Sequence, residues 1–195
     1  MKKIIIGITG ASGSIYPHRL IETLLMLDHE VHLVATNHGE SVSAFELEKP
    51  FQMLVEEYKA SNEKFFYYSN DDLFSRLASG SFKTDAMVII PCSMCTLGKV
   101  ACGISDSLIT RAADVMIKEN RCLIVAPRES PFSSIHLENM LKLSRLGVTI
   151  MPMLPSFYNK PKTLEEIINL SIGRILESLD IENPYHKVWG GSNDS

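Results

Sequence analysis

The sequence lacks long apolar runs and a strong net charge, and these absences exclude whole classes of protein. No stretch of its 195 residues approaches the roughly 20 consecutive apolar residues that a bilayer-spanning helix needs. The net charge of -4 gives no electrostatic reason to expect a nucleic-acid partner. Glycines interrupt the apolar segment near the N-terminus before it resembles a signal peptide. We therefore expect a cytoplasmic protein that binds neither membranes nor nucleic acid.

Cysteine is also scarce, and the four cysteines cluster in one third of the chain, at Cys92, Cys95, Cys102 and Cys122. This clustering does not resemble a disulfide framework, so reduced thiols are expected. The first two form a C-x-x-C motif, which in other settings indicates zinc or redox chemistry. However, no second ligand pair stands at zinc-ribbon spacing, and the histidines show no metal-binding spacing either. We expect no metal and interpret the motif as buried small residues below a ligand loop.

Short apolar runs rich in Val and Ile alternate with helical patterns along the chain. The runs are too short for helices and are predicted to be strands, at 3–8, 31–35, 86–90, 122–126 and 148–151. Alternation of this kind predicts an α/β fold with a doubly wound, mostly parallel sheet, a flavodoxin-like or Rossmann-like three-layer sandwich. We expect one domain over 1–182 and a C-terminal tail over 183–195. Segment 49–81 has no clear periodicity and is expected to hold a helix, an insertion and a loop.

A glycine-rich loop follows the first predicted strand and precedes a helix. Its residues Gly10, Ala11, Ser12 and Gly13 place backbone N–H groups and a hydroxyl where a phosphate would meet the helix dipole. The loop matches neither the G-x-G-x-x-G fingerprint nor a Walker A motif. A tight strand-to-helix turn without a ligand is the alternative.

Two further strand ends carry hydroxyl side chains. Thr36 ends the second predicted strand, and segment 91–96 follows the third. In an open α/β sheet, ligands bind at the carboxyl ends of the strands. Ser93 and Thr96 therefore suit a phosphate or a polyol, although ordinary turn and cap chemistry explains the same residue types.

Arg128 and Glu129 directly follow the fourth predicted strand, at the same edge. An arginine can clamp a phosphate while a neighbouring carboxylate moves a proton. A solvated surface ion pair is the alternative. Further cationic and phenolic groups, whose convergence the sequence leaves open, are Arg111, Lys118, Tyr158 and Arg174.

The chain resembles the UbiX-type flavin prenyltransferases over about 3–189. The resemblance rests on five motifs: Gly-Ile-Thr-Gly-Ala-Ser-Gly, Pro-Cys-Ser-x-x-Thr-Leu, Arg-Ala-Ala-Asp-Val-x-x-Lys-Glu, Pro-Arg-Glu-Ser-Pro-Phe-Ser-Ser-Ile-His-Leu-Glu-Asn-Met and Pro-x-Phe-Tyr. It implies a homo-oligomer, commonly a dodecamer, that joins a dimethylallyl group from dimethylallyl phosphate to N5 and C6 of reduced FMN. The product, prenylated FMN, would serve a UbiD-type decarboxylase as partner, and no metal is implied.

The resemblance also implies roles for individual residues. The FMN-binding set would be Gly10, Ala11, Ser12, Thr36, Ser93, Met94, Cys95, Thr96 and Arg128. The prenyl donor would be bound, partly across subunits, by Arg111, Lys118, Arg128, Glu129, Tyr158 and Arg174, with Trp189 closing the site. The implied catalytic residues are Ser12, Glu46 and Glu129. The chain departs mildly from the family pattern at Pro17-His18, and Phe45, beside Glu46, is expected to reshape the prenyl pocket.

Two other functions fit parts of the pattern. An FMN-dependent cysteine decarboxylase would use the flavin as oxidant, but it leaves Arg128, Glu129, Tyr158 and Arg174 without a role. A non-catalytic flavin-binding protein needs the phosphate-binding loop and no second cationic cluster.

Overall fold

The computed structural model describes residues 1–185 and contains one parallel β-sheet. Its strands are β1 (Lys3–Ile8), β2 (Glu30–Ala35), β3 (Phe65–Ser69), β4 (Ala86–Cys92), β5 (Cys122–Pro127) and β6 (Thr149–Ile150). They lie in the order β3-β2-β1-β4-β5-β6, and every neighbouring pair is parallel. The predicted doubly wound α/β fold is confirmed.

Helices connect the strands, and most of them begin at a Ser or Thr cap. They are α1 (Ile15–Met26), α2 (Asn37–Glu46), α3 (Phe51–Ser61), α4 (Met94–Cys102), α5 (Leu108–Lys118), α6 (Ser134–Arg145) and α7 (Leu164–Ser178). Side-chain caps satisfy backbone N–H groups that have no partner inside the helix. The caps of this kind are Thr36, Ser93, Ser107, Ser133 and Thr163.

The central strands are buried on both faces, which explains their continuous apolar sequence. All seven residues of β4 are buried, as are five of the six residues of β1. β1 lies between β2 and β4. From β1 the chain adds β2 and β3 on one side, and it then crosses back and adds β4, β5 and β6 on the other side. A crevice opens at the carboxyl ends of the strands at such a reversal, and ligands of doubly wound folds bind there.

The segment that lacked periodicity contains a helix, as predicted, and also a strand that was not predicted. α3 is the helix, and β3 is the missed strand. β3 pairs only with β2, and its aromatic residues are used on both of its faces, so they do not alternate with polar ones. Phe66 stacks on His32 with ring centroids 5.2 Å apart, and the Arg76 guanidinium lies 4.9 Å from the Phe66 ring. A pattern search for a half-buried strand misses such a segment.

The chain divides into two compact units, Met1–Pro152 and Met153–Ser195. The first contains the sheet and α1 to α6. The second, described to Tyr185, contains α7, which begins with a capping contact: Thr163 Oγ1 accepts the Glu166 N–H at 3.1 Å. The expected domain at 1–182 and tail at 183–195 stay predictions, and Trp189 lies outside the described residues.

Within residues 1–185, no helix is long and apolar enough to cross a membrane. Over the same range, no three His, Cys, Asp or Glu side chains are arranged to hold a metal ion.

Candidate functional site

A cavity of about 410 Å³ lies in the first unit, lined by residues that follow the carboxyl ends of the strands. Its volume falls in the range of small-molecule sites. It brings together five of the residues that the sequence predicted for FMN: Gly10, Thr36, Ser93, Cys95 and Thr96. The predicted residues Ala11, Ser12, Met94 and Arg128 are not part of its lining as described.

Three helix N-termini converge on this cavity. Its lining includes Thr36, Ser93 and Ser107, which are the N-caps of α2, α4 and α5. Because each N-terminus carries a partial positive charge, their convergence creates a site for an anion. A phosphate is the anion that such sites commonly bind, so the lining fits a phosphorylated ligand.

Buried contacts hold these N-termini in position. Thr9 Oγ1 donates to the carbonyl oxygen of Pro91 at 2.7 Å and accepts the N–H of Ser93 at 2.8 Å. Thr9 is 1% exposed, so these hydrogen bonds tie the end of β1 to the start of α4 in a dry environment.

Close backbone approach explains the glycine that opens the loop. A Cβ at Gly10 would lie 2.6 Å from the Cβ of His38, in the first turn of α2. Any larger residue would push α2 away from β1, and the Thr36 cap would move with it. Gly10 is therefore required by packing, whether or not a ligand touches it.

Asn70 holds the N-terminus of α5 in position through two hydrogen bonds. Its carbonyl oxygen accepts the Leu108 N–H at 2.7 Å, and its side-chain Oδ1 accepts the Ile109 N–H at 3.1 Å. Asn70 directly follows β3, so this connection holds the N-terminus of α5 against the missed strand.

The sequence analysis missed a second group of lining residues: His38, Asn70, Lys99, Ser107, Ile109 and Thr110. One signal for them was present, because Ser107 and Thr110 form a capping box at the start of α5. Asn70 carried no such signal, since the strand that positions it was not recognised.

The glycine loop already binds an anion, which is the chain's own Glu46. The Glu46 carboxylate accepts the N–H of Gly13 at 3.0 Å and that of Ser14 at 2.7 Å. The phosphate that the sequence placed on these amides is therefore replaced there by a carboxylate, because α2 ends beside the loop. The starts of α2, α4 and α5, which line the cavity, are the remaining candidate site for a ligand anion.

Two predicted catalytic residues meet at this loop. Burial raises the pKa of Glu46, but hydrogen bonds from the Ser12 hydroxyl and from the Ser14 and Gly13 N–H groups outweigh it, so the pKa lies below its ordinary value. Glu46 is thus an ionised acceptor that orients the Ser12 hydroxyl.

His18 is buried and forms two hydrogen bonds. Its Nδ1 lies 2.8 Å from the Tyr58 hydroxyl, and its Nε2 lies 2.8 Å from the Ser43 hydroxyl. Burial lowers the pKa of His18 to about 4, so the ring is neutral at physiological pH. These contacts link α1, α2 and α3, and Ser43 lies about one helical turn before Glu46 in α2. Phe45, which precedes Glu46, is 85% exposed.

The predicted donor-binding residues are not all brought together within one chain. The Arg128 N–H donates to the Cys92 carbonyl at 3.1 Å, which places Arg128 beside the start of α4. Glu129 follows it, exposed, and accepts the N–H of Ser130 at 3.0 Å. Lys118 lies at the opposite end of α5 from the cavity, about 15 Å along the helix, and pairs with Glu119 at 2.5 Å.

The remaining donor-binding candidates have other contacts. Arg111 donates from Nε to the Ala78 carbonyl at 3.0 Å and pairs with Asp114 at 2.8 Å. Tyr158 and Arg174 belong to the second unit, where Tyr158 is 73% exposed and Arg174 pairs with Glu177.

The two cysteines of the C-x-x-C motif differ in environment. Cys92 is fully buried, and burial raises the pKa of its thiol to about 12. Cys95 is exposed in the cavity wall, so the expectation that both cysteines are buried is wrong for Cys95. A thiol that burial keeps protonated is a poor nucleophile, so Cys92 packs as the small buried residue that was expected.

Comparison with known proteins shows the same fold and sequence pattern. The flavoprotein family model matches residues 1–181. Flavin prenyltransferase UbiX of Methanocaldococcus jannaschii is 51% identical over 188 residues, which cover 96% of this chain and 98% of that protein.

Two solved structures are similar over nearly the whole chain. AnUbiX (PadA1), in complex with FMN and dimethylallyl pyrophosphate, has a TM-score of 0.90 and 36% identity, covering 97% of this chain and 98% of its own. A dodecameric FMN-dependent UbiX-like decarboxylase from Escherichia coli O157:H7 has a TM-score of 0.87 and 42% identity, covering 97% of this chain and 100% of its own.

Proposed function

We propose, since the chain belongs to the flavoprotein family and within it to the UbiX-type flavin prenyltransferases, that it joins a dimethylallyl group to N5 and C6 of reduced FMN. The donor would be dimethylallyl phosphate. The observation that carries the proposal is the convergence of three capped helix N-termini on one cavity, which suits the FMN phosphate.

FMN would be held at this cavity by its phosphate. The caps Thr36, Ser93 and Ser107 and the hydroxyls of Thr96 and Thr110 supply the donors. Gly10, Ala11 and Ser12, together with Met94, Cys95 and Arg128, would complete the FMN site. When bound and reduced, FMN supplies the electron-rich atoms that accept the prenyl group.

Ser12 and Glu46 would transfer the proton at flavin N5. The ionised Glu46 orients the Ser12 hydroxyl, so the Ser12 oxygen would accept the N5 proton while the hydroxyl passes its own proton to Glu46, and the reverse transfer would return it. Gly13 and Ser14 hold Glu46 through their N–H groups, which fixes the geometry before the donor binds.

The donor phosphate would be bound by a cationic cluster. Arg128, Arg111 and Lys118, with Tyr158 and Arg174, would stabilise the charge that develops as the phosphate leaves. Glu129 would give the leaving phosphate a proton. Trp189 would close the site.

This cluster would be completed by neighbouring subunits, because Lys118 lies at the far end of α5 from its own cavity. A homododecamer, as in the E. coli relative, would supply the missing groups. α6 exposes apolar side chains suited to a subunit contact, including Ile135 at 67%, Leu137 at 53% and Leu141 at 50%.

The product, prenylated FMN, would pass to a UbiD-type decarboxylase in the cytoplasm. A cysteine decarboxylase would instead keep FMN as oxidant and gain nothing from Arg128 and Glu129 beside the flavin. The relative with 51% identity is a flavin prenyltransferase, which favours transfer over decarboxylation.

The test is to incubate the protein anaerobically with reduced FMN and dimethylallyl phosphate, and to measure the mass of the extracted flavin. We expect a gain of one prenyl group. If FMN is bound and its mass does not change with either the monophosphate or the pyrophosphate donor, the proposal is wrong.

A further inference from the structure

Lys99 lies in the wall of the cavity, on α4. Among the described residues that line the cavity, it is the one with a permanent positive charge. Its Nζ lies 2.7 Å from Oδ2 of Asp106, and the two side chains are 37% and 50% exposed. The sequence analysis did not assign a role to either residue.

Asp106 is not among the residues that line the cavity. It directly precedes the cap Ser107, and its Oδ1 lies 3.4 Å from the hydroxyl of Thr110, which does line the cavity. The ion pair thus joins a cation in the wall to a carboxylate outside it. Lys99 is thereby held within reach of the site where α2, α4 and α5 converge.

The lysine can exchange this partner for a phosphate. Exposed ion pairs contribute little to stability, and the flexible stem of a lysine can carry its ammonium group to a new position. A phosphate carries close to two negative charges near neutral pH and would lie at three helix N-termini, whereas Asp106 carries one charge and faces solvent. The phosphate is therefore the stronger partner.

We propose that Lys99 is a specificity-determining residue that leaves Asp106 to contact the phosphate of FMN, and so selects FMN over a flavin without phosphate. The inference rests on the proposed function, because it takes FMN as the ligand of the cavity. Asp106 acts as a competitor that holds Lys99 in place when no phosphate is bound.

A purely structural role makes different predictions. If the pair only fastened the end of α4 to the start of α5, removing either partner would loosen the Ser107 cap. Both changes would then weaken FMN and riboflavin to the same degree. If Lys99 is a counter-ion for phosphate, the two changes have opposite effects, and riboflavin is insensitive to both.

The experiment is an equilibrium titration of the full chain with FMN and with riboflavin. We expect Lys99→Met to raise the FMN dissociation constant about tenfold, as loss of a charge-assisted hydrogen bond does, and to change riboflavin binding by less than about twofold. Asp106→Asn should leave FMN affinity unchanged or raise it, since Lys99 loses its competitor. Lys83→Met, at an exposed lysine just before β4, is the matched control and should change neither flavin.

Three results would overturn the inference: unchanged FMN affinity in Lys99→Met, equal losses for FMN and riboflavin, or a loss in Asp106→Asn as large as in Lys99→Met. If riboflavin does not saturate the wild-type protein, inorganic phosphate replaces it as a competitor of FMN, and Lys99→Met should weaken that competition. The outcome is separable from the proposed function. Failure of the inference leaves FMN binding and prenyl transfer by the wild-type protein intact, whereas failure of the function removes one of them.

Discussion

The two candidate anion-binding regions of this protein are built differently. The cavity is lined by the starts of α2, α4 and α5, all within one compact unit. The predicted donor cluster consists of side chains of α5, of the segment after β5 and of the second unit, and most of them are exposed. Backbone donors are set by the fold and cost no side-chain entropy, whereas exposed long side chains must be ordered by a neighbour. We therefore expect flavin binding to be a property of one chain and prenyl transfer to be a property of the assembly.

The largest expected effect comes from substitutions in the predicted donor cluster. Glu129→Gln removes the proposed proton donor and should slow prenyl transfer about 10³-fold, while FMN affinity stays within about twofold of wild type. Lys118→Met should also slow transfer severely. If the two residues meet across subunits, a mixed oligomer of the two variants contains some sites in which both native side chains are present, and part of the activity returns.

Glu63→Gln, at an exposed glutamate after α3, is the control and should transfer at the wild-type rate. Recovery is measured by co-expressing the two variants and quantifying prenylated FMN by mass. No recovery in a verified mixed oligomer would show that Lys118 and Glu129 act within one chain or that Lys118 has no role. An equal loss of FMN affinity in Glu129→Gln would show that its role was misassigned.

The second prediction concerns how the free energy of unfolding falls at acid pH because of His18. The pKa of His18 is lowered to about 4 from 6.5 by burial. Between these values the unfolded chain binds a proton that the folded chain excludes, so the stability is complete above pH 6.5 and falls as the pH drops toward 4. The expected loss over this window is on the order of 2–3 kcal/mol.

Urea unfolding at pH 7 and pH 4.5 measures this slope. His18→Gln should reduce it without abolishing it, because His32 is also buried, with a pKa lowered to about 4 chiefly by burial. His136→Gln is the control, since glutamine can replace histidine in the capping box of α6. A slope that His18→Gln leaves unchanged would contradict the prediction.

The smallest expected effect concerns a helix cap that lines the cavity. Ser107→Ala removes one of the three caps and should lower the free energy of unfolding by about 1 kcal/mol. It should also weaken FMN binding by several-fold, because one N-terminus is no longer held in place. The apparent KM for the donor should stay unchanged. Flavin titration and donor kinetics on the same preparation check this, and a rise in donor KM without a loss of FMN affinity would show that α5 serves the other phosphate.

The buried strands were predictable because strands with two buried faces are continuous apolar runs. β1, β2, β4 and β5 were located within about two residues, and β6 was recognised although it is short. β3 was missed because its aromatic residues pack on both faces of an edge strand. Because β3 was missed, Asn70, which follows β3 and holds the start of α5, was not predicted as a site residue.

The sequence by itself determined the fold class and the edge of the sheet at which polar side chains collect, because apolar periodicity and strand ends are local properties. Only the tertiary structure decided which anion lies on which helix. Glu46 occupies the amides of Gly13 and Ser14, and the open anion site is formed by Thr36, Ser93 and Ser107. Thr36 and Ser93 lie far apart in sequence and meet because parallel pairing of β2, β1 and β4 brings the ends of β2 and β4 to one crevice. Ser107 is brought there by the contacts of Asn70, after β3, with the start of α5. No local pattern encodes such a meeting, since it depends on strand order and on close contacts such as that between Gly10 and His38.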